Sequence, residues 1–121
     1  MAGSEAVAGK VRRGEVRLLD LSAAGGRLRK TRPVVVVQND IGNRYSDETI
    51  VLSVRDRHGG RMLPIFVPVK KGIGGLGKDS IVDAGHINTV AQEMLGEKIG
   101  LLPETVLDAI DQALKISLQL L

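Results

Sequence analysis

The sequence predicts a mainly β domain that ends in an α-helix. Short runs of β-branched or alternating apolar residues recur along the chain, and segments rich in glycine or other turn formers separate them. Only the last stretch, from Pro103 onward, keeps apolar residues at helical spacing over several turns. A chain of 121 residues can bury one core but not two. We therefore expect a disordered tail at residues 1–10 and a single domain over residues 11–121.

Six segments are predicted as strands. Residues 33–38 form a continuous valine run, which is typical of a strand buried on both faces. Residues 49–55 alternate, so that Ser53 and Arg55 share one face. The two prolines within residues 64–69 favour an edge position. The other predicted strands are residues 15–21, 80–87 and 97–102.

The segments between these strands predict turns and one short helix. Residues 39–44 are rich in turn formers and must leave the sheet. Residues 57–61 predict a hairpin turn, and residues 70–78 predict a flexible glycine-rich loop. Residues 88–95 are expected to hold the short helix.

The C-terminal helix is predicted to be apolar on two sides. Pro103 suits the first helical position, and Glu104 suits the positive end of the helix dipole. Such a helix must be buried more than an ordinary surface helix, either by packing on the sheet or in a subunit interface. One side carries Leu107, Ile110, Leu114, Leu118 and Leu121, and the other carries Val106, Ala109, Ala113, Ile116 and Leu120.

Composition excludes several functional classes. The chain has no cysteine, which excludes disulfides and thiol chemistry, and its two histidines show no spacing typical of metal ligands. Aromatic residues make up only 2%, too few for a platform that stacks nucleic-acid bases. No apolar run approaches the roughly 20 residues that cross a bilayer, and the N-terminus does not resemble a secretory signal. We therefore expect a cytoplasmic protein that contacts no membrane.

Positive charge is concentrated in the first two thirds of the chain. Residues 10–78 contain 15 Lys or Arg against 6 Asp or Glu, whereas residues 79–121 contain 2 against 7. This uneven distribution indicates a basic face for a polyanion, although an uneven scatter of surface charge would give the same counts. Arg27, Arg29, Lys30 and Arg32 form the densest cluster and predict phosphate contacts, with a solvated loop as the plain alternative.

Two other patterns need separate interpretation. The glycines of residues 72–77 match a nucleotide-binding motif, but the residues after Lys78 predict a strand where that motif requires a helix. We therefore interpret the segment as a loop. His58 lies in a predicted turn and is expected to be exposed. His86, late in a predicted strand, is a candidate for either a structural or a functional role.

Several blocks of the sequence resemble the MazF branch of the MazF/PemK toxins. They are Arg13-Gly14-Glu15-Val16, Arg32-Pro33, the segment from Gln38 to Ser46, Lys78-Asp79-Ser80, the segment from Leu95 to Gly100 and the segment from Ala113 to Leu118. The blocks follow the family's order and together cover the chain from about Val11 to Leu121.

The resemblance implies an SH3-like, partly closed β-barrel with a C-terminal helix, like that of MazF, PemK and CcdB. It also implies a homodimer, a cognate antitoxin protein, and cleavage of single-stranded RNA at a short sequence without a metal ion or other cofactor. The substrate's 2′-OH would be the nucleophile, leaving 2′,3′-cyclic phosphate and 5′-OH ends. Arg32 matches the family's catalytic arginine, while Asn39, Asp40, Asn43 and Arg44 match the loop that lines the RNA groove.

The remaining catalytic positions depart from the family pattern. The family's threonine or serine is Arg55 here, with Ser53 two residues earlier on the same predicted face. A late glutamine and arginine of the family become His86 and Asn88. Three interpretations follow: a ribonuclease that uses Arg32, Arg55, Ser53 and His86, a catalytically impaired protein that binds RNA or antitoxin, or a CcdB-like gyrase poison. The loop match favours RNA.

Overall fold

The computed structural model describes residues 10–20 and 31–121, which form a six-stranded antiparallel sheet and a C-terminal helix. The elements are β1 (Glu15–Asp20), β2 (Thr31–Val36), α1 (Asp40–Tyr45), β3 (Glu48–Asp56), β4 (Phe66–Val69), β5 (Ser80–Ala91), β6 (Leu95–Leu101) and α2 (Glu104–Leu118). The spatial order of the strands is β4-β5-β3-β2-β1-β6, so the sheet has two edges and is not closed within these residues. The predicted mainly β class with a C-terminal helix is confirmed.

Strand β2 is central and buried on both faces, as its valine run predicts. Val35 packs in the core that α2 covers, together with Leu52 and Ile110. Val34 and Val36 point to the opposite face and pack in a smaller cluster with Val51. Because successive side chains of a strand alternate, one run of valines contributes to both cores. Strand β4 lies at an edge, which confirms the prediction from its prolines.

Helix α2 packs on the sheet through part of its apolar surface. Leu107 and Ile110 from one predicted side and Ala113 from the other are buried, and the helix lies against β4 and β5. The sheet does not cover most of the second side, because Ala109, Ile116 and Leu120 are exposed in the single chain. Pro103 immediately precedes the helix as its N-terminal cap residue rather than occupying its first turn. Packing on the sheet therefore accounts for the first half of α2, and a subunit interface stays a prediction.

Two predicted connections have a different structure. Residues 39–44 leave the sheet as a short helix, α1, because the Asn39 side chain accepts a hydrogen bond from the Gly42 amide at 2.8 Å and caps it. The predicted helix over residues 88–95 is wrong. Strand β5 continues through Ala91, and only Gln92–Met94 form a single 3-10 turn. Pairing with β3, as in Thr49 with Val90, overrides the local preference for a helix.

The glycine-rich segment at residues 70–78 is packed rather than flexible. It contains a 3-10 turn at Ile73–Gly75, and Leu76 is buried in the main core. A Cβ atom on Gly75 would lie 1.9 Å from the Ile99 carbonyl oxygen, and one on Gly100 would lie 2.2 Å from the Gly74 carbonyl carbon. The glycines therefore allow two backbones to touch. Strand β5 follows directly at Ser80, which removes the helix that a phosphate-binding loop needs.

Candidate active site

Two arginines line the same cavity near the start of β2 and the end of β3. Val34 pairs with Ser53 across the two antiparallel strands. Arg32 and Arg55 each lie two residues away from this pair, so alternation places both on the same sheet face as Val34, away from α2. Two positive charges that share one cavity repel each other, and a bound anion would relieve this repulsion.

A cavity of about 290 Å³ opens on this face. The side chains that line it include all four predicted catalytic residues, which are Arg32, Ser53, Arg55 and His86. The tertiary structure thus brings together residues that lie on three strands and as many as 54 positions apart in the chain. Asp83 and Asn88 also line the cavity.

His86 reaches the cavity because β5 contains a bulge. Ser53 pairs with Asp83 while Leu52 pairs with Ile87, so residues 84–86 have no partner on β3. Bulges of this kind redirect side chains at the edges of functional sites. The imidazole is exposed and makes no hydrogen bond to any residue in the described ranges 10–20 and 31–121. It is therefore accessible to a ligand.

Arg55 has two partners that the sequence did not suggest. Its Nη1 atom lies 3.4 Å from Oδ2 of Asp83, and its guanidinium stacks over the Phe66 ring at 4.6 Å from the centroid. The Asp83 side chain is only 14% exposed, whereas that of Arg55 is 46% exposed. The sequence contained one indication that Asp83 has a special role. It is an acidic residue within the apolar run of residues 81–84, and aspartate is depleted in strands.

The chemistry of this cavity suits an anion. Two guanidinium groups face one carboxylate, and each guanidinium offers planar donors that match phosphate oxygens. The Arg32 side chain forms no ion pair with the part of the chain that the structure describes. Within the same part, no group of three or more His, Cys, Asp or Glu residues could hold a metal ion. An imidazole beside the anion site would be able to accept or donate a proton.

Asn43 has a different role from the predicted contact with RNA. Its side chain is buried, and its Oδ1 atom accepts hydrogen bonds from Gln38 at 3.0 Å and from Thr49 at 2.5 Å. Its Nδ2 atom donates to the Gln38 carbonyl at 2.9 Å and to Asp40 at 3.2 Å. Because each polar atom already has partners inside the protein, the Asn43 side chain cannot read a base. It holds α1 on the sheet instead.

The other predicted residues of this loop are exposed, though two of them also have structural contacts. Asn39 caps α1, and Oδ1 of Asp40 accepts a hydrogen bond from the Arg13 amide at 2.7 Å. The Arg44 guanidinium lies 5.5 Å from the centroid of the Tyr45 ring, and both side chains project into solvent beside a cavity of about 500 Å³. Arg44 is therefore the member of this group best placed to contact a ligand.

Only one member of the predicted basic cluster lies within the described residues. Arg32 belongs to the cavity, whereas Arg27, Arg29 and Lys30 lie outside the described residues. Among the residues that the structure describes, no helix is both long and apolar enough to cross a membrane.

Comparison with known proteins points to one family. Residues 12–118 match the family described as PemK-like, MazF-like toxins of type II toxin-antitoxin systems. The chain is 40% identical to Endoribonuclease MazF of Staphylococcus epidermidis over 91% of its length and 92% of that protein. It is 38% identical to Endoribonuclease EndoA of Bacillus subtilis (strain 168), over 92% and 97% of the respective chains.

The fold matches solved structures of toxins as well. A mycobacterial endoribonuclease in complex with its cognate antitoxin superposes with a TM-score of 0.78 and 24% identity, over 92% of this chain and 97% of that one. Mycobacterium tuberculosis toxin MazF-mt6 gives a TM-score of 0.72 and 23% identity, over 88% and 97% of the respective chains.

Proposed function

The chain belongs to the PemK-like, MazF-like toxins of type II toxin–antitoxin systems, and we propose that it is an endoribonuclease that cuts single-stranded RNA at a short sequence. The observation that carries this proposal is the cavity that Arg32, Arg55 and His86 line together. Two cations with one carboxylate leave a net positive site of a size that suits a phosphodiester.

The proposed reaction uses the substrate's own 2′-OH. Its oxygen attacks the neighbouring phosphorus, the bond from phosphorus to the 5′-oxygen breaks, and the products carry a 2′,3′-cyclic phosphate and a 5′-OH. Arg32 and Arg55 stabilise the extra negative charge on the phosphorane oxygens. His86 takes the proton from the 2′-OH or delivers one to the leaving 5′-oxygen. The Ser53 hydroxyl, also in the cavity, offers a further hydrogen bond to the phosphate.

The proposed partners follow from the family. A related solved structure is a complex of an endoribonuclease with its cognate antitoxin, and we extend that pairing to this chain, together with the homodimeric state. An antitoxin that covers the cavity would block access to Arg32. Arg44, at the exposed α1 surface, is proposed to contact RNA phosphates, as are Arg27, Arg29 and Lys30. A toxin that acts on messenger RNA is expected in the cytoplasm.

The test is cleavage of a pool of single-stranded RNA by the purified protein in the presence of EDTA. We expect products whose 5′-OH ends accept a labelled phosphate from polynucleotide kinase without prior dephosphorylation. In the control, the same RNA carries a single 2′-deoxy nucleotide at the cleaved position and should stay intact, because the nucleophile is missing. An RNA pool left uncut, or products with 5′-phosphate ends, would overturn the proposal.

Two alternatives give different results in parallel assays. A catalytically impaired toxin would bind the RNA without cutting it. A gyrase poison would trap gyrase on cleaved DNA and produce no RNA fragments. The combination of two arginines with His86 in one cavity favours the ribonuclease, because an imidazole beside an anion site supplies the proton transfer that cleavage needs and binding alone does not.

A further inference from the structure

We propose that Asp83 is the positioning residue of this site, holding Arg55 with one carboxylate oxygen and the strand bulge that carries His86 with the other. The inference rests on the proposed ribonuclease function and names how the site is organised. Asp83 lines the cavity and lies opposite Ser53 on one neighbouring strand and opposite Phe66 on the other.

The first oxygen fixes the guanidinium of Arg55. Oδ2 of Asp83 lies 3.4 Å from Nη1 of Arg55, and the same guanidinium lies 4.6 Å from the centroid of the Phe66 ring. Arginine has a long side chain with much rotational freedom, and contacts with a carboxylate and an aromatic ring reduce that freedom. These two contacts keep Arg55 in the cavity before any substrate arrives.

The second oxygen fixes the bulge. Oδ1 of Asp83 accepts a hydrogen bond from the Gly85 amide at 2.8 Å, directly before His86. A Cβ atom on Gly85 would lie 3.1 Å from this oxygen and 2.8 Å from Cδ1 of Ile65, so a side chain at this position would require both neighbours to shift. One carboxylate therefore links the phosphate-binding arginine to the histidine that moves protons.

This arrangement has a cost for substrate binding. Asp83 places a negative charge in a cavity that must receive a phosphate, so it weakens the attraction of the site for RNA. A residue that positions catalytic groups at the expense of binding gives a characteristic kinetic signature. Its removal lowers kcat while KM stays the same or falls.

The experiment compares Asp83→Asn with Asp56→Asn. Asparagine keeps the size of the side chain and an acceptor for the Gly85 amide, but it loses the charge that holds Arg55. Asp56 is the matched control, because its carboxylate pairs with Lys78 at 3.3 Å and does not line the cavity. We expect Asp83→Asn to lower kcat about tenfold and to tighten binding of an uncleavable 2′-deoxy analogue about threefold. Asp56→Asn should change neither value.

Double variants separate positioning from direct proton transfer. If Asp83 acts through Arg55, then Asp83→Asn should have no further effect in an Arg55→Gln background. The proposal is overturned if the tenfold loss of kcat persists in the Arg55→Gln background, or if Asp83→Asn alone has the kcat of the wild type.

Asp83→Ala also removes the hydrogen bond to the Gly85 amide, so it should lower kcat more than Asp83→Asn does. This additional loss of kcat should disappear in a His86→Gln background.

A measurement that needs no cleavage keeps this test independent of the proposed function. In NMR spectra, the Nε–H signal of Arg55 should show an ordered side chain in the wild type and in Asp56→Asn, and a mobile one in Asp83→Asn. An Arg55 signal that stays equally ordered in Asp83→Asn would refute the positioning role, even if the wild type cuts no RNA.

Discussion

Two polar clusters lie towards opposite ends of β2 and β3, and they differ in how completely their atoms are paired. The amide cluster consists of Gln38, Asn43, Thr49 and Gln92, and its hydrogen bonds hold α1 to the sheet. Thr49 and Asn43 are almost fully buried there. The cavity cluster consists of Arg32, Ser53, Arg55, Asp83 and His86, and it faces solvent with several donors unused.

The difference teaches how polar residues of one small sheet divide between stability and function. A buried polar atom must be paired inside the protein, so the amide cluster is complete, and no described side chain has a buried unpaired polar atom. An exposed donor can lack a partner in the protein, because water accepts its hydrogen bond until a ligand binds. We therefore expect substitutions in the amide cluster to lower stability and those in the cavity to lower activity.

The largest effect is expected for Arg32→Ala. This change removes the cation that faces the phosphate and should lower the cleavage rate about 10³-fold, or about 4 kcal/mol in the barrier. The unfolding temperature should stay unchanged, because the side chain forms no ion pair with the described residues. Arg57→Ala, in the exposed loop after β3, is the control and should cut at the wild-type rate. If Arg32→Ala cut RNA at close to the wild-type rate, the active site would not be in this cavity.

The next effect is on stability. Asn43→Ala should lower the free energy of unfolding by about 3 kcal/mol, because it removes the acceptor of the buried Thr49 hydroxyl and the donor to the Gln38 backbone carbonyl. Asn39→Ala is the matched control from the same loop, and losing this exposed cap should cost about 1 kcal/mol. Urea denaturation measures both. If Asn39→Ala lowered the free energy of unfolding more than Asn43→Ala, the amide cluster would not have the stabilising role that distinguishes it from the cavity cluster.

His86→Gln should lower the rate about 10²-fold without changing stability. Glutamine can form hydrogen bonds but cannot move a proton as imidazole does, so the loss of rate measures proton transfer rather than contact. His58→Gln is the control, since His58 is exposed in the loop after β3 and is the only other histidine of the chain. A His86→Gln protein that cuts RNA at the wild-type rate would assign this residue a purely structural role.

The smallest effect is expected for Ser53→Ala, about threefold in rate, because the hydroxyl adds one neutral hydrogen bond to a charge already held by two arginines. Single-turnover cleavage rates against the wild type measure it. A loss as large as that of Arg32→Ala would show that Ser53 performs the role of the family's hydroxyl residue, and Arg55 would then be reduced to phosphate binding.

Much of the site could be predicted because it lies in or next to recognisable blocks. Arg32 begins the valine strand, and Ser53 and Arg55 share a face by simple alternation, so both positions follow from local sequence. Asp83 and Phe66 could not be predicted, because their contact with Arg55 depends on the pairing of β5 with its two neighbours. Asn43 was assigned to RNA from its motif, whereas its burial depends on Gln38 and Thr49.

The sequence by itself determined the family, the mainly β class with a C-terminal helix, and the strand that carries Arg32. The fold class and the strand depend on patterns within single segments, where alternation and β-branching act locally, and the family depends on the order of several such blocks along the chain. Only the tertiary structure decided that β5 runs on through a predicted helix, that a bulge turns His86 to the cavity, and that Asp83 connects it to Arg55. The physical reason is that strand register and burial arise from partners far away in the chain, and no single segment contains that information.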